Sequence, residues 1–407
     1  MKTQWEIFAK GIGEPCFVIH YGEVGLKGEN RSFFEGQLMK NIKTAIGDIS
    51  KTSILKYHGR FILPLPSPEL MEPIQERLAR VFGIVYFAPA LLVAQNIEHI
   101  ETAARHLMAN LTFSSFAIKT RRAQKRFPLS SQEVNIRVGA AVQQQSGARV
   151  DLSNPDVTCY IEIFDNKALV YAQKIPAAGG LPVGVSERAV SLLSAGIDSP
   201  VASYKIMKRG VKLIFVHFHS VPLTSSASIE NATKQVEFLT QFQYHSKLYL
   251  VPFLEVQQQI MAHAPKDYRV VLYRRFMLRL AEKIAYRERA KALVTGESIA
   301  QVASQTLSNM QVINEVATLP VLRPLAGDDK EEIIQQAKSI GTFHVSIDPY
   351  EDCCSLFIPK HPVTRAKREV VLEAESKLDM DSLLKEALSK TEVLKFHFPK
   401  TEQSEAL

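Results

Sequence analysis

Residues 192–200 read LLSAGIDSP, where an apolar run gives way to small residues, one carboxylate and a proline. The apolar segment RAVSLL before this point predicts a strand, and Pro200 suits the first turn of a helix, where no N–H donor is needed. In a parallel sheet, ligands bind beyond the carboxyl ends of the strands, and the first strand-to-helix loop is the usual phosphate site. The stretch, which we call the anion loop, therefore predicts an α/β domain with a phosphate-binding loop at its start.

The anion loop has a second interpretation, a strand-to-helix turn capped by a serine or aspartate side chain. Its small residues let backbone N–H groups approach an anion, Ser194 and Ser199 add hydroxyl donors, and the following helix points its positive end at the charge. The loop is neither a Walker A sequence nor a dinucleotide fingerprint. Its position just after a linker, on the first strand of a doubly wound domain, favours phosphate binding.

Strand and helix patterns alternate after the anion loop. The runs LIFVHF and LYLVPF are apolar along their whole length, as strands of a parallel sheet covered by helices should be. The predicted strands are RAVSLL, KLIFVHF, KLYLVPF, ALVTGE and VLRPL, and the predicted helices cover about 200–209, 229–242 and 268–288, with one more before the last strand. This order predicts a doubly wound parallel sheet.

The chain before the loop predicts two smaller α/β units. From Cys16 the order strand, helix, two strands, helix, strand suits a ferredoxin-like unit, and a mixed α/β unit containing the strand FAIKTRR follows. The segment IPAAGGLPVG then marks a linker, because proline and glycine crowd into it. The predicted divisions are 1–75 (extending at most to about 93) for the first unit, 76–174 for the second, 175–184 for the linker, 185–390 for the doubly wound domain and 391–407 for a weakly structured tail.

Length and composition exclude several classes of protein. A chain of 407 residues is too long for one ordinary core. No apolar run reaches about 18 residues and no signal-peptide pattern begins the chain, so we expect a cytoplasmic protein without a membrane segment. Four cysteines without a Cys-x-x-Cys pair or a histidine cluster argue against a disulfide scaffold and a zinc site. Cys16 and Cys159 lie in strand patterns and are expected in the core, and no ligand of a resident metal is predicted.

Residues 117–126, AIKTRRAQKR, hold five basic side chains and no acid. Two interpretations of this basic strip remain open. It forms either a solvated face or a surface that neutralises nucleic-acid phosphates. The side chains concerned are Lys119, Arg121, Arg122, Lys125 and Arg126.

Several segments together resemble the family of tRNA 4-thiouridine synthetases, also called tRNA sulfurtransferases. They are IHYGEVGLKGENR, FAIKTRRAQKRFP, LLSAGIDSPVAS, YRRFMLRLAE, TGESIAQVASQT and YEDCCSLFIPKHP, spread between about residues 15 and 380. The anion loop is similar to the PP-loop S-G-G-x-D-S of ATP pyrophosphatases. The resemblance implies a ferredoxin-like domain, a THUMP domain that binds tRNA and a PP-loop domain.

The resemblance also implies a reaction and its partners. Family members use ATP, which we expect to carry Mg²⁺, to adenylate the C4 oxygen of the uridine at position 8 of tRNA, and then replace that oxygen with sulfur. A cysteine desulfurase supplies the sulfur as a persulfide, and in some members a sulfur carrier protein for thiamine synthesis also receives it. We also expect a homodimer.

The family motifs imply roles for particular residues. Asp198 is expected to position Mg²⁺ or the pyrophosphate end of ATP, with a helix N-cap as the alternative. Cys354 is the expected persulfide carrier and Cys353 the second candidate. Gly296 is expected to let the ligand approach closely, and Gln305, otherwise an exposed helix amide, to hydrogen-bond it. The residues expected at ATP are Leu192, Leu193, Ser194, Gly196, Ser199, His217, Phe218, Arg274, Gly296 and Gln305.

Two features depart from the family pattern. Ala195 stands where the PP-loop has glycine, which costs roughly 1–2 kcal/mol if its φ must be positive, and otherwise leaves a methyl that crowds the phosphate. Some members add a rhodanese domain whose cysteine pairs with the persulfide carrier, and no segment here resembles it. Cys353 is no substitute, because adjacent Cα atoms lie ~3.8 Å apart, below the usual disulfide range.

We therefore expect direct transfer of sulfur from the desulfurase to Cys354, with an external thiol or hydrosulfide completing the cycle. One alternative is a non-catalytic THUMP-type tRNA-binding protein with a degenerate PP-loop, for which Ala195 is the only support. Another keeps the enzyme but makes the sulfur carrier protein its main acceptor.

Overall fold

The strands of the first half of the chain join in one sheet. The computed structural model describes residues 11–57, 59–123, 126–347 and 361–400, and the chain divides into two compact units between Leu181 and Pro182. The strands described in the first unit are β1 (Glu14–Tyr21), β2 (Leu55–Tyr57), β3 (Arg60–Pro64), β4 (Ile84–Ala94), β5 (Ser115–Arg122), β6 (Arg149–Val150), β7 (Val157–Phe164), β8 (Lys167–Tyr171) and β9 (Ile175–Pro176). They pair in the order β2-β3-β1-β4-β8-β7-β5-β6, with β9 also on β4.

The long strand β4 connects the ferredoxin-like part to the part that follows it. Its 11 residues pair antiparallel with β1, with Val18 opposite Ala88, while its last residues pair with β8, with Leu92 opposite Leu169. The helices of this unit are α1 (Arg31–Ala45), α2 (Met71–Ala79), α3 (Ile97–Met108) and α4 (Ser131–Ser146). The predicted strand-helix-strand-strand-helix-strand order is confirmed, and the two predicted parts share a single sheet.

Local sequence sets the ends of the helices that cover β5, the strand of the basic strip. The Asn96 side chain accepts hydrogen bonds from the first turn of α3. Ser130 and Glu133 form a reciprocal capping box at the start of α4, and Gly147 ends that helix with a φ of 70°. Both helices pack together, and α4 packs on β5. The basic strip is therefore held on a strand with a fixed backbone.

The second unit is a six-stranded sheet with helices on both faces. Its described strands are β10 (Arg188–Leu192), β11 (Lys212–His219), β12 (His245–Pro252), β13 (Ala292–Val294), β14 (Val321–Leu322) and β15 (Glu392–His397). They pair in the order β14-β13-β10-β11-β12-β15, all parallel except for β15, which runs antiparallel to β12. Because the chain leaves β10 toward β11 and returns to β13 on its other side, β10 marks the switch point where such sheets bind ligands.

The helices of the second unit are α5 (Asp198–Met207), α6 (Ala227–Gln243), α7 (Leu254–His263), α8 (Arg269–Arg287), α9 (Leu307–Asn314), α10 (Lys330–Ile340), α11 (Phe343–Ser346), α12 (Arg368–Ser376) and α13 (Met380–Ser389). α5 packs against α6 and α10 on one side of the sheet. α7, α8, α12 and α13 contribute to a buried apolar core on the other, where Phe218, Phe253 and Phe276 are among the most buried side chains. The predicted doubly wound domain is confirmed.

Two predictions of local structure are wrong. Helix α7 lies where no helix was predicted, and the tail that was expected to be weakly structured contains β15. Residues 392–397 pair with β12 over six positions, and Val393 packs against the core. The strand forms because β12 offers an open edge of backbone donors and acceptors, a contribution that the composition of the tail does not reveal. No helix in the described part of the chain is long and apolar enough to cross a membrane.

Candidate active site

The anion loop joins β10 to α5 and is closed by a pair of serines. The Ser194 N–H donates to Ser199 Oγ at 2.9 Å, and the Ser199 hydroxyl donates back to the Ser194 carbonyl at 3.1 Å. Helix α5 begins at Asp198, and no side chain of the described residues caps its first turn. The interpretation of this stretch as a side-chain-capped turn is therefore wrong. The first N–H groups of α5 are left to an anion, which the helix dipole also favours.

Ala195 causes no strain in this loop. Its φ lies outside the left-handed region that favours glycine, so the expected cost of a positive φ does not arise. The residue is 1% exposed, so its methyl group faces the protein and cannot meet an incoming phosphate. Its carbonyl accepts a hydrogen bond from Gln235 Nε2 at 2.8 Å. Alanine at this position is therefore compatible with an anion site.

Gly296 touches the anion loop itself. A Cβ on Gly296 would lie 2.8 Å from both N and Cα of Ser199 and 3.0 Å from the carbonyl carbon of Asp198. Such distances are shorter than real Cβ contacts, so the loop and the segment after β13 pack backbone to backbone only because Gly296 has no side chain. The sequence predicted a glycine that admits the ligand, and the structure shows a glycine that admits the loop.

Asp198 is held at the mouth of the loop by two polar side chains. Lys330 Nζ, at the first residue of α10, lies 2.7 Å from Asp198 Oδ1, and Gln301 Nε2 donates to Oδ2 at 3.2 Å. Both partners are accessible enough to move, since the Lys330 side chain is 46% exposed and that of Asp198 22%. The N-cap alternative for Asp198 is wrong, because its carboxylate bonds to other segments and not to α5 backbone.

The ends of β10 and β11 are linked beside the loop. The Leu193 N–H donates to the Val216 carbonyl, and the His217 Nδ1–H donates to the Leu193 carbonyl at 2.9 Å. The alternation of β11 sends Phe218 to the opposite face, into the apolar core against Phe253. Leu192 is half-buried at the end of β10. These residues border the switch point, as predicted, and Phe218 is left with only its backbone at that edge.

Gln305 is buried and not the exposed helix amide considered as its alternative. It ends the 3-10 turn Ala303–Gln305, where its carbonyl accepts from Ala300 N–H at 3.0 Å. The Oε1 atom is fully buried without a hydrogen-bond partner among the described residues. Because an unpaired buried acceptor costs ~1–3 kcal/mol, this atom is suited to a donor on a bound ligand.

The two neighbouring arginines of α8 differ in role. Arg275 is 2% exposed and binds Glu375 through Nε and Nη2, each at 2.8 Å. It therefore joins α8 to α12. Arg274 is half-buried one position earlier, on a different side of the helix. Its contact with a phosphate stays a prediction.

The cysteines divide into two pairs. Cys16 and Cys159 are free thiols in the core, as predicted, and burial raises the pKa of both, that of Cys159 to about 12. Neither is suited to nucleophilic chemistry, because a thiol reacts as its thiolate. Cys353 and Cys354 lie outside the described residues.

The basic strip on β5 contains two kinds of side chain. Lys119 and Arg121 are exposed and, being two residues apart, lie on one face of the strand. Arg122 points the other way and donates to the carbonyls of Phe127 (3.2 Å) and Leu129 (2.7 Å), so it holds the following turn. Arg126 is exposed, and Lys125 lies outside the described residues.

The structure adds site residues that the sequence did not reveal. Lys330 and Gln301 meet Asp198, and the fully buried Gln235 meets the loop carbonyls. Lys330 follows β14, the last parallel strand, so its position at the carboxyl edge could have been anticipated from the segment AGDDKEE. A glutamine inside a long helix such as α6 carries no comparable signal.

Comparisons with known proteins cover nearly the whole chain. Family models match for the ThiI ferredoxin-like domain over residues 16–88, the THUMP domain over 94–173 and thiamine biosynthesis protein (ThiI) over 184–380. The "Probable tRNA sulfurtransferase" of Thermus thermophilus is 45% identical over 379 residues, which are 93% of this chain and 93% of the relative. That of Brevibacillus brevis is 41% identical and covers 92% of this chain and 95% of its own length.

A solved structure agrees with these relatives. A 4-thiouridine synthetase–RNA complex with bound ATP superposes with a TM-score of 0.87 at 35% identity, covering 94% of this chain and 99% of the other. The identity, the coverage and the order of the three domain models all point the same way. The chain therefore belongs to the tRNA sulfurtransferase family, in which a ferredoxin-like domain and a THUMP domain precede an ATP pyrophosphatase domain.

Proposed function

We propose that this chain uses ATP to adenylate O4 of the uridine at position 8 of tRNA and then replaces that oxygen with sulfur carried by Cys354. The observation that carries the proposal is the uncapped first turn of α5, set against Gly296 at the switch point of a parallel sheet. This arrangement supports the binding of a polyphosphate chain. The solved relative described above contains both ATP and RNA.

The loop would bind the phosphates and direct the first step. Backbone N–H groups from Gly196 to Ser199 and the hydroxyl of Ser194 donate to the phosphate oxygens, and Arg274 adds positive charge. Uridine O4 attacks the α-phosphorus, the bond to the bridging oxygen breaks, and pyrophosphate leaves. The ends of β10 and β11, at Leu192, Leu193, His217 and Phe218, border the adenosine, and Gln305 Oε1 accepts a hydrogen bond from it.

Asp198 fits a Mg²⁺ ion that arrives with ATP. Among the described residues no three metal-ligating side chains gather, and Mg²⁺ is commonly bound by one or two carboxylates together with substrate phosphates. Asp198 would supply that carboxylate, which frees Lys330 from its ion pair to meet the pyrophosphate. The ion would supply charge neutralisation at the leaving group.

Sulfur transfer completes the exchange. The terminal sulfur of a Cys354 persulfide attacks C4, the C4–O bond breaks, and AMP leaves with the oxygen. An external thiol then attacks the Cys354 sulfur, which breaks the S–S bond, leaves sulfur on C4 and forms a disulfide with Cys354. A second thiol reduces that disulfide. Cys353 is the second candidate for the carrier.

The first unit would hold tRNA. Lys119, Arg121, Lys125 and Arg126 contact phosphates, with affinity that depends on salt and little on sequence. Arg122 acts there by holding the turn. We further propose a cysteine desulfurase as the persulfide donor, a homodimer as the working form and the cytoplasm as its location. A sulfur carrier protein is a second acceptor, which the match to the thiamine biosynthesis family favours.

The experiment measures 4-thiouridine by mass spectrometry in tRNA from cells that lack this protein and carry either the wild-type gene, Cys354→Ser or Cys353→Ser. We expect the wild type and Cys353→Ser to restore the modification and Cys354→Ser to lose it. Wild-type rates of thiolation with Cys354→Ser would overturn the assignment of the carrier. Pure protein that releases no pyrophosphate from ATP with unmodified tRNA would instead support the non-catalytic tRNA-binding alternative.

A further inference from the structure

A buried glutamine ties the anion loop to a distant helix. Gln235 on α6 is fully buried. Its Nε2 donates to the Ala195 carbonyl at 2.8 Å and lies 3.3 Å from the Gly196 carbonyl and 3.1 Å from Ser346 Oγ. Its Oε1 is also buried and has no hydrogen-bond partner among the described residues. A buried amide with an unpaired oxygen is costly, so the position of its N–H group merits a functional explanation.

Ser346 is the last residue of α11 and receives this bond. Its hydroxyl donates to the Thr342 carbonyl at 2.9 Å, which leaves its oxygen lone pair to Gln235 Nε2. Helix α11 packs against both α10 and α6. Since Lys330 at the start of α10 binds Asp198, the α10–α11 segment meets the anion loop at both of its ends.

The link at Ser346 stands directly before the cysteine segment in sequence. At about 3.5 Å a residue, the chain from Ser346 to Cys354 spans at most roughly 28 Å. Fixing Ser346 against the loop therefore limits how far the Cys354 sulfur can be from the base that is adenylated there. Reacting groups held near their attack geometry gain rate from this positioning.

We propose that the hydrogen bond from Gln235 to Ser346 is a positioning link between the two half-reactions: it keeps the sulfur-bearing segment in place beside the adenylated base. The inference rests on the proposed function, with Cys354 as carrier. Without the link, water reaches C4 before the persulfide does. Water adds its oxygen, AMP leaves, and the unchanged uridine returns, so that pyrophosphate is released without thiolation.

The test measures two products in the same reaction of the full-length protein with ATP, unmodified tRNA, a cysteine desulfurase and cysteine: pyrophosphate and 4-thiouridine. Ser346→Ala removes the link and leaves the bonds from Gln235 to the loop carbonyls. We expect pyrophosphate release within about twofold of wild type and about fivefold less 4-thiouridine per pyrophosphate, the factor expected for one hydrogen bond. Ser346→Thr keeps the hydroxyl and should restore the ratio.

The matched control is Ser339→Ala on α10, whose hydroxyl bonds only within its own helix, to the Gln336 carbonyl, and which should leave the ratio unchanged. Gln235→Met removes the donor at similar volume and should lower the ratio as well, with a slower pyrophosphate release because the loop carbonyls also lose their donor. A wild-type ratio in a folded Ser346→Ala, or in Gln235→Met where the first variant does not fold, overturns the link. Thiolation by Cys354→Ser in the same assay would overturn the proposed function instead.

Discussion

At the scale of single residues, Gly296 is the most sensitive position of the site. Gly296→Ala would place a methyl 2.8 Å from the Ser199 backbone, so the loop or the segment after β13 must move. We expect pyrophosphate release to fall at least tenfold and the free energy of unfolding to fall by ~1–3 kcal/mol. Thermal unfolding and a pyrophosphate assay measure the two effects.

The control for this variant is Gly327→Ala in the same unit. A Cβ there would meet nothing within 4 Å, and its φ is not in the left-handed region, so we expect wild-type stability and activity. Wild-type pyrophosphate release by Gly296→Ala would show that the loop tolerates displacement and that its closure does not depend on this glycine.

Residue types that act through their backbone or their charge could be identified from the sequence, but their partners could not. The loop sequence pointed to Asp198, yet its partner Lys330 comes from a segment more distant in sequence, which only folding brings to the same sheet edge. The role of Gly296 was assigned to the right atom for the wrong neighbour, because a missing side chain does not say what approaches it. Ala195 was assigned a cost that depends on a dihedral angle, which one sequence does not contain.

At the scale of helices, a buried ion cluster joins α8 to α12. Glu375 receives hydrogen bonds from Arg275 and Arg279. Burial alone would raise the pKa of Glu375, but the two arginines hold it at about 2, below its ordinary value of 4.5. A lowered folded-state pKa means that this carboxylate contributes stability above pH ~4.5 and loses it as pH falls toward 2.

We therefore expect Glu375→Gln to be less stable than wild type by ~3–5 kcal/mol at pH 7, because Arg275 is left buried with a weakened partner. The difference between the two proteins should shrink as the pH falls from about 4.5 to 2. Urea unfolding at a series of pH values measures it. A difference that stays constant over this range would mean that the amide fails for reasons of packing and not of charge.

Elements with a strong local pattern were predictable, and those stabilised by neighbours were not. The runs around β11 and β12 are apolar throughout and could be assigned to buried parallel strands from sequence alone. Helix α7 and strand β15 lack so clear a pattern and depend on what they contact: α7 packs against α8 and α13, and β15 pairs with the free edge of β12. Composition cannot report an edge that another segment provides.

At the scale of the whole molecule, the proposed function requires the first unit to bind RNA by charge. Lys119→Ala and Arg121→Ala should each weaken tRNA binding and reduce the slope of log affinity against log salt by about 1. Filter binding or fluorescence anisotropy at several salt concentrations measures this slope. Arg137→Ala is the matched control, because Arg137 is exposed on α4 but already paired with Glu98 and Glu101. An unchanged slope in both strip variants would leave the strip a solvated face.

The sheet shared by the two parts of the first unit has a consequence for synthesis on the ribosome. When β1 to β4 have emerged, β4 has its partner β1 on one side, but β8 is made only after β5, β6 and β7. The nascent chain thus carries a long apolar strand with one bare edge, which favours association with other chains until β8 arrives. Translation that stops before β8 should yield an aggregating fragment, so the two parts are inherited and folded as one piece.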